Sequence, residues 1–303
     1  MKPLNVFVSL ITKDNDFQME QAASVQAAAS RLGARLQIVY ADNDAVGQSQ
    51  QIFKAIQDSS QRPDVILVEP VGTGMSQAAT AAVSAGIGWG VINREVDYTA
   101  QLRRNAKAPV FSVGTDQVAV GKIQSAQFAR FLKEGGAVLY IEGPAAGGVA
   151  RARSLGMSSA LPGNITVKPL KGDWTEQSGY HITKSFLSMS TSRQLNVRVI
   201  GCQNDAMAIG ARRAFEEESD PQARRAWLSL PFTGCDGVPK TGQEWVRRGL
   251  LKATVVTPPT MGLALEIMVK FIQSGGQPPE HTFSEPHSYP ALEELGVGVT
   301  AGV

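Results

Sequence analysis

The chain has 303 residues, 43% hydrophobic and 18% charged, which allows one large domain or two of ordinary size and excludes a disordered chain. Its 29 Lys and Arg against 27 Asp and Glu leave a net charge of +2, too little for the broad basic field of a nucleic-acid binder. Two cysteines exclude a disulfide framework and a cysteine-rich zinc site, and allow one bridge at most.

The first apolar run, Val6–Ile11, is too short for a signal peptide. No run reaches the roughly 18 apolar residues of a membrane span. A soluble protein is expected, with no membrane insertion: cytoplasmic if Met1 is the native start, or exported under a signal outside this chain.

From there the chain alternates short apolar runs with longer amphipathic stretches. A strand is predicted at Asn5–Ile11 and a helix at Phe17–Leu32, closed by Gly33, which takes a left-handed C-terminal conformation at low cost. Strands follow at Leu36–Tyr40, Val65–Val68 and Trp89–Ile92, with helices near Gly47–Ser59 and Met75–Ala85. Tyr98–Ala108 reads as a polar, basic loop before a strand at Pro109–Val113.

The rhythm then repeats. Helices are predicted at Gln117–Glu134, Ala150–Leu161, Glu176–Met189, Ala206–Glu217, Gln243–Gly249 and Met261–Gln273. Between them lie strands at Ala137–Ile141, Thr166–Leu170, Val197–Cys202, Ser229–Gly234 and Ala253–Val256. Runs of Val, Ile and Leu alternating with helices point to parallel βαβ units covered on both faces. The fold class is α/β, with two series of similar design. Pro109–Val113, Val255–Thr257 and Phe283–Tyr289 are the candidate crossovers between them.

Open parallel sheets bind ligands beyond the carboxyl ends of their strands. Those ends carry Lys13, Asn15 and Phe17; Glu69; Asn93 and Arg94; Glu142 with Arg151 and Arg153 at the next helix start; Asp173 and Trp174; Asn204 and Asp205; Cys235 and Asp236; and Thr257. Amides, carboxylates and guanidinium forks pair with vicinal hydroxyls, and aromatic faces cover C–H surfaces. The set suits a neutral, hydroxyl-rich ligand. Any one of these Asn or Asp residues could equally be a helix N-cap, and Asp205 before Ala206 reads as one.

Other chemistry finds less support. His181, His281 and His287 lack metal-ligand spacing, and no nucleophile elbow, phosphate loop or C-x-x-C occurs, so an enzyme is not expected. Gly143-Pro144-Ala145-Ala146-Gly147-Gly148 lacks the Lys-Ser/Thr of a phosphate loop and reads as a turn leading to Arg151. Cys202 and Cys235 end neighbouring predicted strands; two structural thiols and a bridge are both open, the thiols favoured. No metal and no cofactor is expected.

Gln203-Asn204-Asp205-Ala206-Met207-Ala208-Ile209-Gly210-Ala211 resembles the Q-N-D-x-M-A-x-G-A segment of the type I periplasmic sugar-binding proteins, ribose-binding class. Gly234-Cys235-Asp236-Gly237 resembles their G-x-D-G, Ala150-Arg151-Ala152-Arg153 their A-R-x-R, and Asn15-Asp16-Phe17-Gln18 their N-P-F-F. Asn93-Arg94 stands where that family has Asp-Arg, and Trp174 where it places an aromatic. The match covers nearly the whole chain. It implies two Rossmann-like lobes joined by a three-strand hinge, 1–110 with 258–281 and 111–257 with 282–303. It further implies a monomer that captures a sugar or polyol in the inter-lobe cleft by clamshell closure. The partner would be an ABC permease, met by this chain in the periplasm. A stand-alone sensor feeding a kinase, chemoreceptor or regulator is the alternative.

The implied ligand residues are Asn15, Phe17, Asn93 and Arg94 from one lobe, and Arg153, Trp174, Asn204, Asp236 and Thr257 from the other. Departures are informative. Asn93 replaces an acceptor-only carboxylate, Gln18 replaces an aromatic wall, and Thr257 stands where a Gln is expected. Lys13 and Asp14 fill two extra positions before Asn15. The site leans less acidic than its relatives, so a sugar acid joins the neutral polyols as an expected ligand class.

Overall fold

The computed structural model describes residues 3–72, 74–94, 96–144, 148–189 and 195–296. The chain runs β1 (Asn5–Leu10), α1 (Asp16–Leu32), β2 (Arg35–Tyr40), α2 (Ala45–Gln57), β3 (Val65–Val68), α3 (Ser76–Ser84), β4 (Gly88–Ile92), α4 (Thr99–Arg103) and β5 (Val110–Thr115). It continues through α5 (Gln117–Phe131), β6 (Gly136–Glu142), α6 (Gly148–Ala160), β7 (Ile165–Lys171), α7 (Glu176–Leu187), β8 (Val197–Cys202) and α8 (Asp205–Glu216). It ends with α9 (Pro221–Ser229), β9 (Phe232–Asp236), α10 (Gly242–Arg247), β10 (Ala253–Val256), α11 (Met261–Ser274), β11 (His281–Ser284) and β12 (His287–Tyr289).

Two compact units divide the chain: residues 1–115 with 259–284, and residues 116–258 with 285–303. The unit boundaries follow Thr115, Pro258 and Ser284, where breaks were expected after Val110, Thr257 and His281, so β5 belongs wholly to unit 1. Each unit holds one six-stranded sheet, ordered β11-β5-β4-β3-β1-β2 in unit 1 and β12-β10-β9-β8-β6-β7 in unit 2. The α/β class is as expected. Among the described residues, all strand pairs are parallel except β10 with β12.

The inner strands are mostly apolar because both faces are covered, and period-2 alternation sorts their side chains. In β1, Val6, Val8 and Leu10 join Val25 of α1 and Leu265 and Met268 of α11, while Phe7 joins Ile52 of α2 and Ala79 of α3 on the other face. In β6, Leu139 and Ile141 pack with Met207 and Phe215 of α8, and Val138 and Tyr140 with Phe128 of α5 and Met157 of α6.

Several local expectations are corrected. Tyr98–Ala108 contains the short helix α4. The predicted strand Ser229–Gly234 begins at Phe232, because Ser229 ends the unpredicted helix α9. The single segment Phe283–Tyr289 is two strands, β11 in one sheet and β12 in the other. Of the Gly-rich turn, residues 145–147 lie outside the described residues.

Candidate functional site

In unit 2, four of the five expected residues contact one another at the carboxyl edge of the sheet, and Thr257 closes against the same turn. Arg153 projects from α6 and is 5% exposed. Its Nε donates to Gln117 Oε1 at 2.8 Å, its Nη1 to the carbonyl of Gln203, and its Nη2 lies 3.7 Å from Asp236 Oδ1. The guanidinium sits 5.6 Å from the Trp174 ring centroid, a cation–π arrangement. Asn204 Nδ2 donates to the Trp174 carbonyl at 2.8 Å. Thr257 N–H donates to the Asp236 carbonyl at 3.1 Å, so Thr257 fixes the strand end rather than presenting a second amide as a Gln would.

Two of these residues hold unusual backbone. Trp174 has φ 76° and Asp236 φ 103°, and in unit 1 Asn93 has φ 55°. The other two positive-φ residues that are not glycine, Asp42 and Asn43, lie in a turn after β2, where Asn and Asp tolerate this region. A bulky Trp does not, and such outliers cost about 1–3 kcal/mol each and concentrate at ligand sites. Gly143 makes the Trp174 position available: a Cβ there would lie 2.1 Å from Trp174 Cζ2.

The expected N-cap is corrected. Asn204, not Asp205, caps α8, its Oδ1 accepting from Met207 N–H at 3.0 Å. With both amide atoms engaged, Asn204 retains one Nδ2 hydrogen for a ligand. Asp205 is buried instead and accepts from Thr254 Oγ1 at 2.7 Å and from Gly237 N–H at 2.8 Å. It thereby clamps the turn that carries Asp236. Burial, and then the nearby Asp236 charge, push its carboxyl well above the ordinary range.

In unit 1, Asn15 caps α1, its Oδ1 accepting from Phe17 N–H at 2.9 Å and Gln18 N–H at 3.3 Å. Its Nδ2 makes no hydrogen bond among the described residues, and the Phe17 ring is half-buried. Gln18 is buried at 4% exposure; it accepts from Ile11 N–H and donates to Glu69 Oε2 at 2.9 Å, a scaffold role where the resemblance implied a wall. Lys13 lies over the Tyr40 ring, 5.1 Å from its centroid. Asn93 follows β4 and accepts from Thr260 Oγ1 at 3.1 Å. Arg94 makes no hydrogen bond or ion pair among the described residues, and none joins Asn15 or Phe17 to Asn93 or Arg94.

Sequence reasoning missed Gln117, Gln21 and Thr260, and gave Asp205 the wrong role. Gln21 had a signal: it falls on the Ala-rich buried face of α1 with Ala22, Val25 and Ala28. Gln117 had none. Cys202 and Cys235 are both free and buried, and burial pushes both thiols up. Among the described residues, no group of three or more His, Cys, Asp or Glu is placed to hold a metal ion, and no helix is long and apolar enough to cross a membrane.

A family model described as periplasmic binding protein domain matches residues 6–276. The chain is 26% identical over 263 residues to the ribose import binding protein of Haemophilus influenzae, covering 84% of this chain and 80% of that protein. It is 26% identical over 276 residues to the D-allose-binding periplasmic protein of Escherichia coli, covering 88% and 84%. Among solved structures, an ABC transporter periplasmic solute binding protein from Actinobacillus succinogenes with bound D-allose superposes at TM-score 0.82 and 21% identity, covering 97% of this chain and 99% of that one. A solute binding protein from Bacillus halodurans with bound myo-inositol gives 0.77 at 20% identity, covering 96% of each.

Proposed function

The chain belongs to the periplasmic binding protein domain family, and on that premise we propose that it captures a sugar or sugar-like polyol for an ABC importer. The observation that carries the reading is the contact set Arg153–Asp236–Trp174–Asn204. Asp236 offers acceptor-only oxygens to ligand hydroxyls. Arg153, held at three points by Gln117, Gln203 and Asp236, offers donors whose direction is already set. Trp174 supplies a flat apolar face. None of these side chains is arranged as nucleophile with base, so the chemistry is recognition rather than turnover. The names of the relatives, for ribose import and for allose binding, support the same ligand class.

Thermal shift against pentoses, hexoses, inositols and sugar acids tests the reading, followed by titration calorimetry on any hit. Asp236→Ala leaves the buried Arg153 without its carboxylate and costs about 2–5 kcal/mol of binding free energy. Unchanged affinity removes Asp236 from the site; no shift with any member of the panel removes the function.

A further inference from the structure

In unit 1 a chain of hydrogen bonds determines which way the Asn93 amide points. It starts at the N-terminus of α11, where the N–H groups of Thr260 and Met261 lie 2.9 and 2.8 Å from one atom of the Gln21 amide. A backbone N–H only donates, so that atom is the oxygen. The other Gln21 atom is therefore the nitrogen, and it donates to Thr260 Oγ1 at 3.5 Å. Gln21 and Thr260 are both 0% exposed, so neither can turn to water instead.

Thr260 Oγ1, receiving from Gln21, has one hydrogen left. The partner for it is the Asn93 amide atom 3.1 Å away, which must be an acceptor and hence Oδ1. The reverse orientation would aim an N–H₂ at a hydroxyl whose own hydrogen then had nowhere to go. Asn93 Nδ2 is thus the remaining group, a donor that is buried and without a partner among the described residues. Buried donors are seldom left unfilled in a folded protein.

We infer that Thr260 fixes Asn93 with its Nδ2 as the unpartnered group, and that this donor favours a polyhydroxylated ligand carrying a hydrogen-free acceptor oxygen, a carboxylate or a ketone, at that position. The inference rests on the sugar-binding reading above and specifies its ligand class. A ligand hydroxyl facing Asn93 Nδ2 could accept, but it would then have to place its own hydrogen elsewhere, and Arg94, next in the chain, carries only donors. An oxygen without hydrogen loses nothing, and a carboxylate gains from a charge-assisted bond to Nδ2. A carboxylate side chain at position 93 would reverse the preference, accepting from a hydroxyl and repelling an anion.

The test is calorimetric titration of the full chain with matched pairs differing only in oxidation: an aldose and its aldonate, a hexose and its uronate, myo-inositol and its keto derivative. In at least one pair the oxidised member should bind roughly ten-fold tighter or more. Asn93→Asp should invert that ratio. Thr260→Val frees the amide to turn and should bring the ratio toward one, and Thr260→Ser, which keeps the hydroxyl, should restore it. Should Asn93→Asp not fold, the Val and Ser pair decides. Hydroxyl parents bound as tightly as their oxidised partners, or a ratio unmoved by these variants, overturn the inference while leaving sugar binding intact. Binding of neither kind removes the sugar-binding reading as well.

Discussion

The edge strand β11 runs parallel to β5 in unit 1, whereas β12 runs antiparallel to β10 in unit 2, although the remaining strands follow one order in both sheets. The helix seams differ more. In unit 2, α5 meets α6 backbone to backbone: a Cβ on Gly121 would lie 2.0 Å from the carbonyl oxygen of Arg153, and one on Gly156 2.0 Å from that of Val118. Gly210 brings α8 as close to α7, at 1.9 Å from the Glu176 carbonyl. In unit 1, α1 and α11 meet through Gly262, 2.7 Å from the Ser24 carbonyl, and through the polar side chains Gln21, Ser24 and Thr260. In both units the seam also places a strand-end residue. Close approach of α5 sets Gln117 on Arg153 in unit 2, and the Gln21–Thr260 contact orients Asn93 in unit 1. The same backbone plan therefore delivers a rigid charged pair in one unit and an oriented neutral amide in the other.

Substitution of the seam glycines separates the two solutions most sharply. Gly156→Ala forces a methyl into a backbone carbonyl that cannot yield, and overpacking of this kind costs about 3 kcal/mol. Both variants gain up to about 1 kcal/mol of helix propensity, but Gly262→Ala has more clearance, so its net cost stays near 1 kcal/mol. Urea denaturation of both variants checks the difference. Equal losses would mean that the two seams are equally tight.

Asp205 gives unit 2 a pH dependence of definite sign. Its carboxyl holds a proton more tightly folded than unfolded, through burial first and the Asp236 charge second. The associated stability is fully present below the ordinary carboxylate value of 3.8 and is lost as pH rises above it toward the folded-state value. The slope reaches at most about 1.4 kcal/mol per pH unit within that window. Asp205→Asn keeps an acceptor for Thr254 and removes the titration. Denaturation from pH 4 to 7 should show a flatter profile for the variant, whatever its absolute stability; parallel profiles would place the Asp205 carboxyl in the ordinary range.

Much of this architecture was legible because buried parallel strands are dominated by apolar residues: Val65–Val68 and Val197–Cys202 were predicted with their observed limits. Failures came where short signals competed. Asp220-Pro221 is an N-cap followed by a proline at the first helical position, which announces α9, yet the polar stretch around it reads as loop. Asn204 and Asp205 are adjacent and both able to cap, and only tertiary contact decides: Thr254 and Gly237 claim Asp205, leaving the cap to Asn204. The residues of the unit 2 cluster were named from local segments, but their mutual geometry depends on Gln117, about 36 residues before Arg153, and no local pattern links the two. The same holds for Gln21 and Thr260, 239 residues apart.

The smallest perturbation uses the thiols. The chain has two cysteines, Cys202 and Cys235, and both belong to unit 2, where they are 0% exposed and held in the thiol form by burial. Labelling at neutral pH therefore requires opening of unit 2 and is blind to unit 1. Gly156→Ala should accelerate labelling, and Gly262→Ala should leave its rate unchanged. A ligand that contacts Arg153 and Asp236 stabilises the closed unit by mass action, so at about 100 times its Kd labelling should slow by roughly 100-fold. A ligand that binds without slowing it would show that unit 2 opens at the cysteines while still occupied. That result would move the binding contacts away from the Arg153–Asp236 pair and onto unit 1.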